Sequence, residues 1–151
     1  MIIETNRLKI QTASESEMRS IIEKQTDPEL IKAYSEMLQE CLANPEKWNW
    51  YATWMINKKD GTHIGDLCFK GQGDDGSVEI GYGIVEEYQG QGYATEAVES
   101  AVAWALKQSG ISRVEAETDP ENSKSQRVLE KCKFFPLGII GEEGPRFYRE
   151  N

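Results

Sequence analysis

A chain of 151 residues has the size of one domain and can bury a full core without staples. Its formal net charge of −9 excludes a general nucleic-acid-binding role, which needs clustered Lys and Arg, and an acidic surface favours a cationic partner instead. No apolar run approaches the ~20 residues of a bilayer span, so a cytoplasmic protein is expected, and a single histidine, His63, rules out imidazole-rich metal sites and nucleophile-plus-histidine catalysis.

In chain order, Arg7-Leu8-Lys9-Ile10-Gln11 alternates apolar and polar residues in the manner of an edge strand. Ser14 followed by Glu17 spells a capping box and predicts a helix with Met18, Ile21 and Ile22 facing inward. Asp27-Pro28 supplies an N-cap and an N1 proline for a second helix, whose apolar stripe is Leu30, Ile31, Leu38, Cys41 and Leu42 and which ends at Asn44-Pro45. Short β-rich runs follow: Tyr51 to Ile56, Ile64 to Lys70, Val78 to Val85 and Val114 to Thr118. Lys59-Asp60-Gly61 joins the first two as a hairpin, the longer Gly71 to Gly76 segment forms a flexible connection, and the first three runs are expected to be antiparallel neighbours.

A long helix is predicted from about Gly92 to Gln108, with Ala94, Ala97, Val98, Ala101, Val102, Ala105 and Leu106 inward and Gly110 as its stop. A helix over Ser123 to Lys131 and strands at Phe134 to Ile140 and around Phe147-Tyr148 complete one mixed α/β domain spanning residues 1–151. Cys41, Cys68 and Cys132 are odd in number and lie outside any CxxC pattern, so they read as reduced core thiols, with neither a disulfide framework nor a metal site.

The chemistry concentrates where a buried strand runs through Gln89-Gly90-Gln91-Gly92-Tyr93-Ala94-Thr95 into a helix N-terminus. A first helical turn offers unpaired N–H groups and partial positive charge, and glycine lets a phosphate approach the backbone closely. The GK[ST] ending of a Walker A loop is missing, and Thr95 stands where a dinucleotide fingerprint needs a third small residue. On these residues alone, a plain strand-to-helix turn shaped by Gly90 and Gly92 is an equal alternative.

Gln89-x-x-Gly92-x-Ala94 resembles the Q/R-x-x-G-x-G/A signature of the GNAT superfamily of N-acetyltransferases. The longer string to Ala97 is similar to its ribosomal-protein N-acetyltransferase (RimJ/RimL-like) branch. A second block, Asn122-Ser123-Lys124-Ser125-Gln126-Arg127-Val128-Leu129-Glu130-Lys131-Cys132-Lys133-Phe134, resembles that branch's NxxSxRVLEKxGF element. Thr5-Asn6-Arg7-Leu8, Ile64-Gly65-Asp66 and Glu79-Ile80-Gly81-Tyr82 resemble its TxRL, IGxx and EIGY segments, so the likeness covers nearly the whole chain. Lys133, in place of glycine, departs from it and suggests a different helix exit; Gln11 replaces a frequent arginine.

The resemblance implies a mostly antiparallel central sheet with splayed middle strands, flanked by helices, and acetyl-CoA as co-substrate. It also implies direct attack of a primary amine on the thioester in a ternary complex, without an acyl-enzyme, in a possible homodimer. The amine acceptor is then a protein N-terminus or a small molecule. A covalent role for Cys132 is the opposing hypothesis, against the default of a buried thiol. By the likeness, pantetheine adds to the strand at Ile84 and Val85, a backbone N–H near Gly83 or Ile84 polarises the thioester carbonyl, and Gln89, Gly90, Gln91, Gly92, Tyr93, Ala94 and Thr95 hold the pyrophosphate.

An amine of pKa near ~10 must lose a proton, which calls for a carboxylate. Glu79 is the preferred base, because it alternates with Gly81 and Gly83 on the strand feeding the acetyl site and resembles a glutamate used in histone-acetylating relatives; the alternative is a solvent-facing charge, and Glu117 is the rival. Leu129 occupies the position where many relatives place a thiolate-protonating tyrosine, so Ser125 is left as the donor. Asn122 and Ser125 read as coenzyme contacts, with N-capping of their own helix as the alternative. Trp48, Trp50, Trp54 and Tyr51 form an aromatic cluster that either packs a core or lines the acceptor cleft by cation–π contact. His63 is expected at a hairpin edge without a catalytic task. A non-catalytic acyl-CoA-binding or regulatory module is the competing function, favoured by Leu129.

Overall fold

The computed structural model describes residues 1–70 and 75–151. Strands β1 (Ile2–Glu4) and β2 (Leu8–Thr12) lead into helices α1 (Glu15–Lys24), α2 (Pro28–Ala43) and the short α3 (Trp48–Tyr51). Strands β3 (Trp54–Lys58), β4 (His63–Lys70) and β5 (Ser77–Ile84) follow, then helix α4 (Tyr93–Leu106), β6 (Arg113–Glu117), α5 (Ser123–Lys131), β7 (Phe135–Ile140) and β8 (Pro145–Glu150). One eight-stranded sheet has the order β1-β2-β3-β4-β5-β6-β8-β7, antiparallel throughout except for the β5–β6 pair.

Local signals account for most of these boundaries. Ser14 and Glu17 form the reciprocal capping box, and the Asp27 carboxylate accepts from the Glu29 N–H with Pro28 in the first turn of α2. The β3–β4 hairpin closes through Lys58 N–H to the Thr62 carbonyl at 2.8 Å, with Gly61 at φ +94°, where an L side chain is strained. Residues 71–74 of the expected long connection lie outside the described residues.

Three expectations change. The Arg7 to Gln11 run is no edge: β1 pairs with the outer side of β2, matching Ile3 to Ile10. The strand expected from Tyr51 begins at Trp54, because the Trp48 indole donates to the Ala13 carbonyl at 2.9 Å and the Trp54 indole to the Asn49 carbonyl at 2.8 Å, winding Trp48–Tyr51 into a turn of helix. On α2 only Leu38 and Cys41 of the expected stripe are buried; Leu30 is 44% and Leu42 45% exposed. The helix covers the sheet along a narrower seam than its sequence suggests.

Each face of the sheet carries a core. Under α4 and α5 lie Leu8, Ile10, Ile56, Val78, Ile80, Val114, Ala97, Ala101 and Leu129 with a knot of Trp54, Phe69 and Trp104, whose Trp54 and Trp104 ring centroids are 5.0 Å apart. Under α1 and α2 lie Ala13, Met18, Leu38, Cys41 and Ala52. The tryptophans are therefore packing groups, each fully buried aromatic contributing about 2–3 kcal/mol.

Candidate active site

The parallel β5–β6 pairing lasts only from Ser77↔Arg113 to Glu79↔Glu115, after which the strands part. The Arg146 guanidinium on β8 sits over the last rung, bonding Glu79 at 2.8 Å, Glu115 at 3.1 Å and Glu117 at 2.7 Å. One cation thus ties three carboxylates where the sheet splits.

Beyond that rung Gly81 to Ile84 keep β4 as their neighbour on one side only. Val85 N–H donates to the Ile64 carbonyl at 2.8 Å, so strand alternation turns the N–H of Ile84 away from β4, toward the opening. Val85 differs from expectation. Its N–H is committed to Ile64 and its carbonyl to the Tyr88 N–H at 2.9 Å, leaving neither free for an added strand.

A cleft of about 410 Å³ fills the opening, bordered by Ile84, Gln89, Gly90, Gly92 and the first turn of α4. Gly90 and Gly92 take the left-handed conformation, at φ +76° and +83°. No side chain caps α4, whose first regular bond runs from Glu96 N–H to the Gly92 carbonyl at 3.1 Å. The N–H groups of Tyr93, Ala94 and Thr95 thus remain as donors at the positive end of the helix dipole. Gln89 reaches back to the Ile84 carbonyl at 2.9 Å, tying the loop to the strand end. Gln91 is not brought to the cleft: its carbonyl accepts from Arg7 at 2.9 Å.

Thr5 and Arg7, noted in the sequence only as an opening motif, are the loop's clamp. Thr5 Oγ1 and the Arg7 backbone N–H both bond Glu96 in the first turn of α4, and Arg7 Nε pairs with Glu96 at 2.7 Å. The guanidinium also lies 4.3 Å above the Tyr93 ring. Burial pushes the Glu96 carboxyl up, but its bonds from Thr5 and Arg7 prevail and hold it below the usual carboxylate range. The acid that would otherwise oppose an anion is thereby neutralised.

On the far wall Asn122 caps α5, its Oδ1 accepting from the Ser125 N–H at 3.0 Å while the residue also borders the cleft. Ser125 Oγ is 2.8 Å from the hydroxyl of Tyr82. Burial raises the Tyr82 hydroxyl to about 12, against the opposing bond from Ser125. Lys124, Arg127 and Lys131, at the i, i+3, i+7 spacing of one helix face, rim the same cleft. These cations were legible as a helical stripe, and the strand tyrosine only as part of a motif.

A second cleft, of about 550 Å³, lies between α2 and the opposite face of the sheet and shares Tyr82 and Gly83 with the first. Its walls include Tyr34, Thr53, Asp66 and Cys68. Glu79 is not brought to either cleft; its carboxylate faces the Arg146 clamp. Glu117 is held there too, and the Arg146 guanidinium with the Glu143 N–H keeps its carboxyl well below the usual range, the wrong direction for a base. Neither Trp48, Trp50, Trp54 nor Tyr51 borders either of these two clefts. Cys132 is fully buried, its S–H facing the Thr95 carbonyl, and burial pushes the thiol up to about 12, which removes it as a nucleophile.

Residues 5–134 match the sequence model of the acetyltransferase (GNAT) domain. The chain belongs to the GNAT acetyltransferase family. The Bacillus subtilis (strain 168) protein named uncharacterized N-acetyltransferase YjdG is 31% identical over 151 residues, covering 89% of this GNAT chain and 90% of that protein. The structure of ribosomal-protein-S5-alanine acetyltransferase from Vibrio fischeri superposes with a TM-score of 0.78 at 16% identity, covering 100% of this chain and 97% of that one. RimL, a ribosomal L7/L12 alpha-N-protein acetyltransferase solved in complex with coenzyme A, gives a TM-score of 0.76 at 17% identity over 99% and 98%. The shared architecture is the mixed α/β GNAT fold that the sequence resemblance implies.

Lys133 takes φ +67°, the left-handed conformation that glycine adopts most readily. Phe134 N–H bonds the Leu129 carbonyl at 2.9 Å and Lys133 N–H the Glu130 carbonyl at 3.0 Å, a Schellman closure made despite the side chain. Leu129 itself is fully buried and fills core space. Among the described residues no helix is long and apolar enough to cross a membrane, and no group of three or more His, Cys, Asp or Glu stands ready for a metal.

Proposed function

We propose that this GNAT chain transfers an acetyl group from acetyl-CoA to a primary amine by direct attack in a ternary complex, in the cytoplasm. One observation carries the reading: the uncapped N-terminus of α4, with Gly90 and Gly92 in left-handed turns, opens onto a strand split whose other wall carries three cations. A pyrophosphate matches the free N–H groups, and a further phosphate on the coenzyme matches Lys124, Arg127 and Lys131. RimL, of the same fold, has been solved with coenzyme A bound.

In this reading the Ile84 N–H faces the thioester carbonyl and stabilises charge developing on its oxygen. Ser125, bonded to Tyr82, supplies the hydroxyl that returns a proton to sulfur, a modest task for a thiol of pKa near ~8.5. Glu79 takes no part in proton removal, being engaged by Arg146. The non-catalytic alternative rests on Leu129 standing at the usual place of the acid; the Tyr82–Ser125 pair, between β5 and α5, supports the catalytic reading instead.

Calorimetric titration with CoA tests this. Wild type should bind saturably, Gly92→Glu should weaken binding on the order of 100-fold by straining the left-handed turn and adding a negative charge beside the phosphate donors, and dephospho-CoA should bind more weakly than CoA. Unchanged affinity in Gly92→Glu sinks the assignment. Saturable binding with no thiol release on any amine would support the non-catalytic module.

A further inference from the structure

Two residues of the second cleft's wall carry a shielded oxygen with no hydrogen-bond partner among the described residues: Thr53 Oγ1, on a residue only 2% exposed, and Asp66 Oδ1. An unpaired oxygen shielded from water is costly, and a cleft wall is where a ligand donor would relieve it. Across the strands Asp66 pairs with Gly83, on which a Cβ would meet nothing within 4 Å. Because Gly83 borders both clefts, that empty space links the carboxylate to the acetyl side of the split.

Two further features surround the carboxylate. At the cleft mouth the apolar side chains of Leu30 and Val85 are 44% and 43% exposed, on opposite walls. On the outer side, His63 Nε2 approaches Asp66 Oδ1 to 3.4 Å without forming a hydrogen bond, while His63 Nδ1 lies 3.0 Å from Asn57 Oδ1. With Nδ1–H donated to Asn57, neutral His63 presents a lone pair toward Asp66. The groups acting on Asp66 are His63 and Cys68 of its own strand and Tyr34 of α2, with Lys70 further along the same cleft. Burial raises the Asp66 carboxyl above its usual value, and a protonated His63 would oppose that rise.

We propose that this cleft takes a primary amine carrying an apolar group, that Asp66 receives its ammonium, and that the proton leaves through His63 to solvent. The proposal rests on the first cleft being the acetyl-CoA site. The ammonium gives one proton to the Asp66 carboxylate, Asp66 passes it to His63 Nε2, and His63 releases it to water. The freed nitrogen lone pair forms the N–C bond at the acetyl carbonyl. The C–S bond then breaks with its electron pair going to sulfur, and the second N–H proton ends on sulfur by way of the Ser125 and Tyr82 hydroxyls. One proton is released per turnover.

Thiol release from acetyl-CoA would be followed with hexylamine and 2-phenylethylamine, and with glucosamine as the polar control. The apolar amines should be preferred at least about tenfold in kcat/KM. Asp66→Asn should lower kcat/KM on the order of 100-fold while leaving CoA affinity unchanged. His63→Gln should lower kcat about tenfold at unchanged KM, with imidazole in the buffer restoring the rate, a response that a structural role would not give. Wild-type turnover and an unaltered pH profile in Asp66→Asn, with CoA still bound, overturn the role of Asp66 alone. A wild type that binds no CoA overturns the coenzyme reading beneath it. If Asp66→Asn fails to fold, seen as loss of CoA binding, His63→Gln decides: full activity indifferent to imidazole overturns the relay.

Discussion

The hydroxyl of Tyr82, on the strand before the glycine loop, lies 2.8 Å from Ser125 Oγ, on the helix that follows the Asn122 cap. This bond joins the Glu79-Ile80-Gly81-Tyr82 segment to the block that begins at Asn122, and it spans the split in the sheet. Tyr82→Phe keeps the ring's packing and removes the bond. It should lower kcat by about 10- to 100-fold with CoA affinity retained, measured by thiol release and calorimetry. Full activity would show that Ser125 needs no partner or that sulfur is protonated by water.

The left-handed exit of α5 gives a stability prediction. Lys133 holds φ +67°, a conformation unfavourable for an L side chain, and the closing bonds to Leu129 and Glu130 need only backbone atoms. Lys133→Gly should therefore stabilise the fold by ~1 kcal/mol, the relief of the left-handed penalty exceeding the entropy glycine adds to the unfolded chain. Urea unfolding would read this as a raised midpoint at unchanged slope; a lowered midpoint would refute it.

Acid stability follows from Glu96 and Glu117. Both carboxyls are held below their usual values in the folded chain, Glu117 by Arg146 and the Glu143 N–H, Glu96 by Thr5 and Arg7 against opposing burial. A depressed folded value means that the unfolded chain binds more protons. The stabilisation is complete above the unfolded carboxylate value of about 4.3 and is lost as pH falls from there through the folded values. Urea midpoints between pH 7 and pH 3 should drop below about pH 4.3, and the drop should be shallower in Glu117→Gln. An equally steep loss in that variant would place the acid sensitivity elsewhere.

Several elements were readable because their causes are local. The capping box at Ser14 and Glu17, the Asp27-Pro28 helix start and the Gly61 hairpin each depend on residues a few positions apart, and each is found as expected. Edge status and catalytic neighbourhood are not local. Glu79 was chosen as a base from its alternation with Gly81 and Gly83, but alternation fixes only a face; the Arg146 side chain, 67 positions away, decides what that carboxylate meets. Asp66 and His63 lie on a strand whose pairing with β3 shifts at Ile56/Asn57, and the sequence by itself did not show that irregularity.

By itself the sequence determined the glycine turn, the long helix behind it and the family, because backbone conformation and helix initiation answer to adjacent residues. Tertiary structure alone decided which donors stay free, which carboxylates are spent on Arg146 and which side chains face across the split. The physical reason is that hydrogen-bond and charge partners compete across the whole fold, and a group's availability is set by the distant residue that reaches it first.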